Sequence, residues 1–338
     1  MSTFTDRHRG DFSNNGGSGS LGDLVLENNA DSGFVAIWLM SGSQRLGPGT
    51  NLVDLGPTWH VRAAVEFSVA GNGNADLLLQ SDDGQLQIQE INGNNATGKV
   101  TVPNVVTLPT QSPLWTIPTA NDFNGDAASD ILFQRSDTGQ LAIWLITSTT
   151  TAPPANPQIN IAQNPGAGWH VVASGDFNND QAAGIVLQHD TGAVAIWENF
   201  QNLGFQQGRF NSQVNVANNG PTWHVVASAD FDGDRMADLL WRNDNGATAI
   251  WLMDGSAPKV GGQLNIAQNN GPTWHIVGAR DMDGDTKADI LWQNDNGSSA
   301  VWENFSVGPG GTAVFSVQEN INPQPDPNRA PPADWHII

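Results

Sequence analysis

Hydrophobic and polar positions alternate over short stretches of this chain, and no stretch of useful length repeats its apolar residues at helical spacing. The stretches follow a fixed order. A strand opening on Trp-His leads into an acidic loop, then an apolar strand, a polar turn with Gly, and a strand ending in Ile-Trp. The clearest copies are WHVVASADFDGDRMADLLWRNDNGATAIWLM, from Trp223 to Met253, and WHIVGARDMDGDTKADILWQNDNGSSAVWENF, from Trp274 to Phe305. The first acidic position falls at Asp11, Glu66, Asp122, Asp176, Asp230 and Asp281, at intervals of 55, 56, 54, 54 and 51 residues. Self-similarity at such a period marks a repeat architecture. Each copy holds four short stretches split by Gly, Asn and Asp, which predicts a four-stranded antiparallel blade. The 37 glycines and 19 prolines suit a chain made of turns. Six such units spanning residues 1–338 predict an all-β fold, a single six-bladed β-propeller.

The two chain ends carry complementary pieces of the pattern. A seventh Trp strand begins at Trp335 and stops at Ile338 with no acidic loop after it. In complete copies the acidic position lies seven residues past the Trp, as from Trp223 to Asp230, and placing His8-Arg9-Gly10-Asp11 after Ile338 restores that spacing. The expectation is one closing blade shared by Trp335–Ile338 and the segment ending near Asp11. A frayed partial repeat is the alternative.

The acidic loops are where the candidate chemistry lies. Asp230, Asp232, Asp234 and Asp238 occupy positions 1, 3, 5 and 9 of one loop, and the backbone carbonyl of Met236 falls at position 7. Several hard, charged oxygens on a flexible Gly-bearing loop are what Ca2+ takes. Asp281, Asp283, Asp285 and Asp289 repeat the set, as do Asp122, Asn124, Asp126 and Asp130. The fourth loop offers Asp176, Asn178 and Asp180 but has Gly184 at position 9, so it lacks one carboxylate. The loops from Glu66 to Asp76 and from Asp11 to Asp23 are stretched and poorer in acid. The competing reading is that these acids cap turns by accepting hydrogen bonds from nearby backbone N–H groups.

The units DFNGDAASDILFQRSDTG (Asp122 to Gly139) and DMDGDTKADILWQNDNG (Asp281 to Gly297) resemble those of the FG-GAP or VCBS repeat proteins. The resemblance covers nearly the whole chain. It implies a propeller with Ca2+ in these loops, in a family that includes integrin heads, bacterial surface proteins and integrin-like fungal and bacterial lectins. The Phe-Gly and Gly-Ala-Pro elements are not intact, and GPTW (Gly56 to Trp59, Gly220 to Trp223, Gly271 to Trp274) only echoes them.

Two tryptophan series run through the repeats. Trp59, Trp115, Trp169, Trp223, Trp274 and Trp335 hold one position; Trp38, Trp144, Trp197, Trp251 and Trp302 hold another, where the second copy has Gln89. Large rings at fixed blade positions fit a core between packed sheets. The sharper reading puts one series in shallow clefts between blades, where an indole stacks on the apolar face of a sugar; Trp59, Trp169, Trp223, Trp274 and Trp335 are the candidates. Trp241 and Trp292, which replace Phe133, Leu187 and Leu79, read as core. His60, His170, His224, His275 and His336 each follow a Trp, with Thr116 in the sixth place. They either satisfy backbone groups beside their loops or ring a channel that holds a transition metal.

Charge narrows the partners. The 13 basic and 34 acidic residues give a formal net charge of −21. Nucleic acid and anionic membrane surfaces reward a basic face, so neither is expected. With no cysteine there are no disulfides, no thiolate chemistry and no Cys-ligated zinc. No apolar run approaches the roughly 18 residues of a membrane helix, and Met1 to Asn15 shows no apolar signal segment. Three function classes remain: a multivalent, lectin-like binder of neutral glycans or glycoconjugates with Ca2+ in its loops, a calcium-dependent surface or matrix adhesion protein, and a lactonase-like enzyme. The last needs one asymmetric catalytic constellation, whereas every candidate here recurs with the blade. The expectation is a non-enzymatic protein, secreted or at the cell surface, with the cytoplasm as the alternative.

Overall fold

The computed structural model describes residues 23–28, 35–41, 44–47, 49–52, 56–67, 73–146, 158–321 and 335–337. The regular elements among them are all β-strands, and no helix is long and apolar enough to cross a membrane. Strands Trp223–Ala229, Asp238–Asn243, Thr248–Asp254 and Ala257–Ile266 pair in chain order, each antiparallel to the next. The same order recurs from Trp59–Val65 to Lys99–Leu108, from Trp115–Asn121 to Gln158–Ile161, from Trp169–Gly175 to Gln207–Asn218 and from Trp274–Arg280 to Thr312–Ile321. Two pairs of runs join through short parallel contacts, Asn160 against Gln207 and Asn265 against Thr312. The result is two eight-stranded sheets, two four-stranded sheets and a two-stranded ribbon.

The position of a strand within its run explains its composition. The second strands, such as Asp238–Asn243 and Asp289–Asn294, are buried along nearly their whole length, because each is covered on both faces. The fourth strands alternate exposed and buried residues over part of their length, as at the start of Thr312–Ile321.

The first and last described strands meet. Trp335–Ile337 pairs antiparallel with Leu24–Asn28, which pairs in turn with Val35–Trp38 and, through it, Thr50–Asn51. The segment around Asp11 and its acidic loop lie outside the described residues.

Each apolar cluster draws on two successive runs. Phe231, Leu240 and Ile250 pack with Ile290, Trp292 and Phe315. Leu24, Leu26 and Met40 pack with Met282, Leu291 and Val301 from the other end of the chain, together with Ile337. Burying side chains of this size contributes about 1.5–3 kcal/mol apiece, so the sheets are held face to face chiefly by these contacts.

A polar clamp recurs beside each cluster. Five residues into the second strand, Gln188 donates from Nε2 to the Trp223 carbonyl at 2.6 Å and accepts from the Val225 N–H at 3.0 Å. Gln134 treats Trp169 and Val171 in the same way, at 2.7 and 2.9 Å. Gln80 donates to the Trp115 carbonyl, Arg242 to the Trp274 carbonyl, and Glu27 accepts from the Val61 N–H. Gln293 accepts from the Ile337 N–H at 3.1 Å and so ties the last run to the C-terminal strand. Arg280 adds a bond to the Asp23 carbonyl at 2.7 Å. These bonds satisfy backbone groups that the sheet ladders leave over. Glycine at the turn before the third strand permits the close approach of neighbouring runs: Gly192 has φ 91°, and a Cβ there would lie 2.1 Å from the Gly220 carbonyl oxygen.

Candidate functional sites: acidic loops and a tryptophan cleft

Each acidic loop folds around its first aspartate. Asp230 accepts from the N–H groups of Gly233 at 2.7 Å and Asp234 at 3.2 Å through Oδ1, and from Arg235 at 2.7 Å through Oδ2. The last bond matters because Arg235 is left-handed, with φ 74°; Ala127, Gln181 and Thr286 stand in the same state at the same loop position. Such a conformation costs an L-residue about 1–2 kcal/mol. Asp122, Asp176 and Asp281 hold those three N–H groups at 2.7, 2.9 and 2.9 Å. The position-9 aspartates are buried brackets. Asp238 accepts from Phe231 N–H at 2.8 Å and Met253 N–H at 2.7 Å, and Asp130 accepts from Phe123 and Ile146. Turn capping is thus a property of every described loop of this type. The loops also join neighbours: the N–H groups of Ser129, Ala183, Ala237 and Ala288 donate to the carbonyls of Glu66, Asp122, Asp176 and Asp230 in the preceding run.

Capping does not use every oxygen. Asp289 Oδ1, Asp232 Oδ1, Glu303 Oε1 and Glu198 Oε1 are buried without a hydrogen-bond partner. An orphaned buried carboxylate oxygen is costly unless a cation or proton meets it, so these oxygens fit a hard cation. Ligand atoms converge within 4.8 Å of one another in two sets among the described residues, Asp230 with Asp232 and Asp238, and Asp281 with Asp283 and Asp285. Burial, reinforced by the neighbouring carboxylates, pushes Asp230 and Asp281 up to about 6, and Asp238 and Asp289 up to about 8. Asp122 and Asp176 are raised for the same reason, and Asp130 lies well above the usual range. Burial that disfavours the charged form, with like charges close by, produces this pattern.

The loops differ in what faces them. Lys259 Nζ lies 2.5 Å from Asp232 Oδ2 and 2.5 Å from Asp234 Oδ2, so an internal ammonium already sits against the Asp230 loop. Burial pulls that ammonium down, but the two carboxylates outweigh it and raise its pKa. Near the Asp281 loop a third-strand residue is acidic: Glu303 is pushed up to about 7 by burial and by Asp283, Glu319 and Asp285. Linear pattern reading missed Lys259, Glu198 and Glu303, since each lies beyond the nine-residue motif. The one signal was the repeated Trp-Glu-Asn-Phe at 197–200 and 302–305.

The tryptophans divide by series. Trp144, Trp197 and Trp302 are buried, and Trp302 and Trp251 pack at 4.8 Å against Trp292 and Trp241, both fully buried. Trp38 and Trp251 are half-buried and pack against the apolar clusters. In the Trp-His series Trp115 is buried, whereas Trp59, Trp169, Trp223 and Trp274 are only half-buried; the Trp335 side chain lies outside the described residues. Trp169 borders a cleft of ≈ 460 Å³ with Val194, Asn215, Val216 and Asn218. The lining comes from the first, third and fourth strands of one antiparallel run.

The described histidines of this series, His60, His170, His224 and His275, pair with turn aspartates, and the His336 side chain lies outside the described residues. The Nε2 atoms of His60, His170, His224 and His275 meet Asp82, Asp190, Asp244 and Asp295 at 3.1, 2.9, 2.8 and 2.7 Å, each on the adjacent turn. The described cavity where the first strands end, ≈ 80 Å³ and bordered by Glu66, Asp122, Asp176 and Asp230, contains no histidine.

Residues 230–292 match the FG-GAP-like repeat family. No curated protein matches the chain in sequence. Among solved structures, a lectin from Agrocybe aegerita that specifically recognises non-reducing terminal N-acetylglucosamine is similar over 88% of this chain and 79% of its own, at 16% identity and a TM-score of 0.51. The Dos1 propeller is similar over 80% of this chain and 62% of its own, at 11% identity and a TM-score of 0.38. The chain is therefore an all-β protein of propeller-like fold, with an FG-GAP-like repeat at residues 230–292.

Proposed function

We propose that the chain is a single six-bladed propeller that acts as a non-enzymatic, multivalent binder of neutral glycans, with Ca2+ stabilising its acidic loops. Clamps from Glu27, Gln80, Gln134, Gln188, Arg242 and Gln293, each onto the strand that opens the next unit, support the closed six-fold count. The observation that carries the function is the half-buried Trp169 indole beside Asn215 and Asn218. A sugar offers an apolar C–H face to an indole and hydroxyls to carboxamides, and a chain with 13 cations has little to offer an anionic ligand. The lectin similarity makes N-acetylglucosamine-terminated glycans the first ligands to test. Repeated weak sites, with Kd of ~0.1–1 mM each, give firm attachment only on dense glycan surfaces. That mode of action suits a secreted or cell-surface protein. For calcium, the Asp281 loop with Asp283, Asp285 and Asp289 is the strongest candidate, followed by the Asp122 loop, while the Asp230 loop competes with Lys259. Bound there, Ca2+ would supply the charge that the crowded carboxylates lack. A glycan array followed by calorimetry on the best ligand tests the reading.

A further inference from the structure

Among the four half-buried tryptophans of the Trp-His series, Trp169 differs in what faces it across the sheet. Trp59, Trp223 and Trp274 pair with Ser81, Asn243 and Asn294 on the second strands of their runs. Trp169 pairs with His189, and the two rings meet edge to face, with centroids 5.2 Å apart and planes at 61°. The turn that follows fixes the imidazole: Nδ1 lies 2.9 Å from Thr191 Oγ1 and accepts from the Thr191 N–H at 3.2 Å. The residue before the tryptophan makes room for it. A Cβ on Gly168 would lie 2.7 Å from His189 Nε2, so the ring fills the space a side chain would take there. In the next two runs that position is Thr222 and Thr273, whose hydroxyls accept from Asn243 and Asn294 at 3.1 and 3.2 Å. The run that opens at Trp169 has exchanged this Thr–Asn pair for Gly–His.

We infer that His189 is a positioning residue for the Trp169 indole, so that the cleft beside Asn215 and Asn218 is the principal glycan site and the tryptophans of the other runs are weaker copies. The inference rests on the reading of these tryptophans as sugar platforms. An indole that is already held when the ligand arrives does not have to be ordered on binding, and affinity rises by the cost avoided. An edge-to-face ring contact contributes beyond the area it buries and sets the orientation of the ring. The cleft is lined by the first, third and fourth strands, whereas His189 ends the second, so it acts through the indole. One cross-strand neighbour thereby makes the sites of a repeated fold unequal.

The test is fluorine NMR of the full chain carrying fluorotryptophan, titrated with N-acetylglucosamine, each line being assigned by a Trp→Phe substitution. Wild type is compared with the double variant Gly168→Thr, His189→Asn, which installs the pair of the neighbouring runs, and with His189→Phe, which keeps an aromatic edge. The Trp169 line should respond at a sugar concentration about three- to tenfold below those of Trp59, Trp223 and Trp274, the gain from one side chain ordered in advance. The double variant should lose that lead and His189→Phe should keep it. His189→Asn alone, which asks for no space at Gly168, serves if the double variant does not fold. A Trp169 line that titrates with the others in wild type, or keeps its lead in the variant, overturns the role of His189 and leaves glycan binding standing. If no tryptophan line moves with any neutral glycan, both fail. The ligand-free proteins give a second answer. A Trp169 line at one position in wild type and variant shows that the imidazole does not set the surroundings of the indole, and overturns the inference whatever binds.

Discussion

Lys259 Nζ donates to Asp232 Oδ2 at 2.5 Å, from a strand 27 residues further along the chain. The ammonium bridges two of the four carboxylates that the repeat pattern offers as calcium ligands, and so neutralises part of the charge a metal would need. Lys259→Ala should therefore raise the calcium affinity of the Asp230 loop by about tenfold, with the Asp281 loop unaffected. Calorimetric titration of both proteins measures this. Equal affinities would mean that the lysine and the ion do not compete.

Metal-free protein should lose stability as pH rises from about 4 to about 8. The folded-state pKa values of Asp230 and Asp281 (about 6), Glu303 (about 7) and Asp238 and Asp289 (about 8) all lie above those of free carboxyls. The folded state then binds more protons than the unfolded one, so the favourable term is complete below the unfolded pKa and is lost as pH passes the folded values. Calcium should restore what ionisation removes. Thermal melts with chelator and with calcium, at pH 5 and pH 8, should show the larger calcium-dependent rise in Tm at pH 8. A larger rise at pH 5 would contradict the assignment.

Gln188→Ala should cost about 1–3 kcal/mol, because it strands the buried Val225 N–H and the Trp223 carbonyl between two neighbouring runs. Urea denaturation gives the number. A change below 0.5 kcal/mol, on the order of an ordinary surface substitution, would show that the clamp contributes nothing beyond the apolar contacts.

Much of this molecule is written in the spacing of its residues. The Trp-His strands, the acidic loops and the Gly turns recur within a few positions of a fixed period, because each marks a backbone requirement that every unit shares. The burial of Trp241 and Trp292 followed from their place in a strand covered on both faces. The clamps were harder to see: Gln80, Gln134, Gln188 and Gln293 align, but Arg242 and Glu27 do the same job with different chemistry. The character of the loops was legible only in part. Whether an acidic loop faces Lys259, Glu198 or Glu303 depends on residues of the third and fourth strands, which lie beyond the nine-residue motif.

The central claim is glycan binding through half-buried tryptophans, and Trp169 is the residue on which it turns. It lines the cleft together with Asn215 and Asn218. The most direct measurement is an array of neutral glycans, including chains ending in non-reducing N-acetylglucosamine, probed with calcium-loaded wild type and with Trp169→Ala. Wild type should bind densely displayed neutral glycans, and a folded Trp169→Ala protein should show a clear loss of signal. No binding to any neutral glycan, with calcium or without it, would contradict it and favour adhesion through protein contacts.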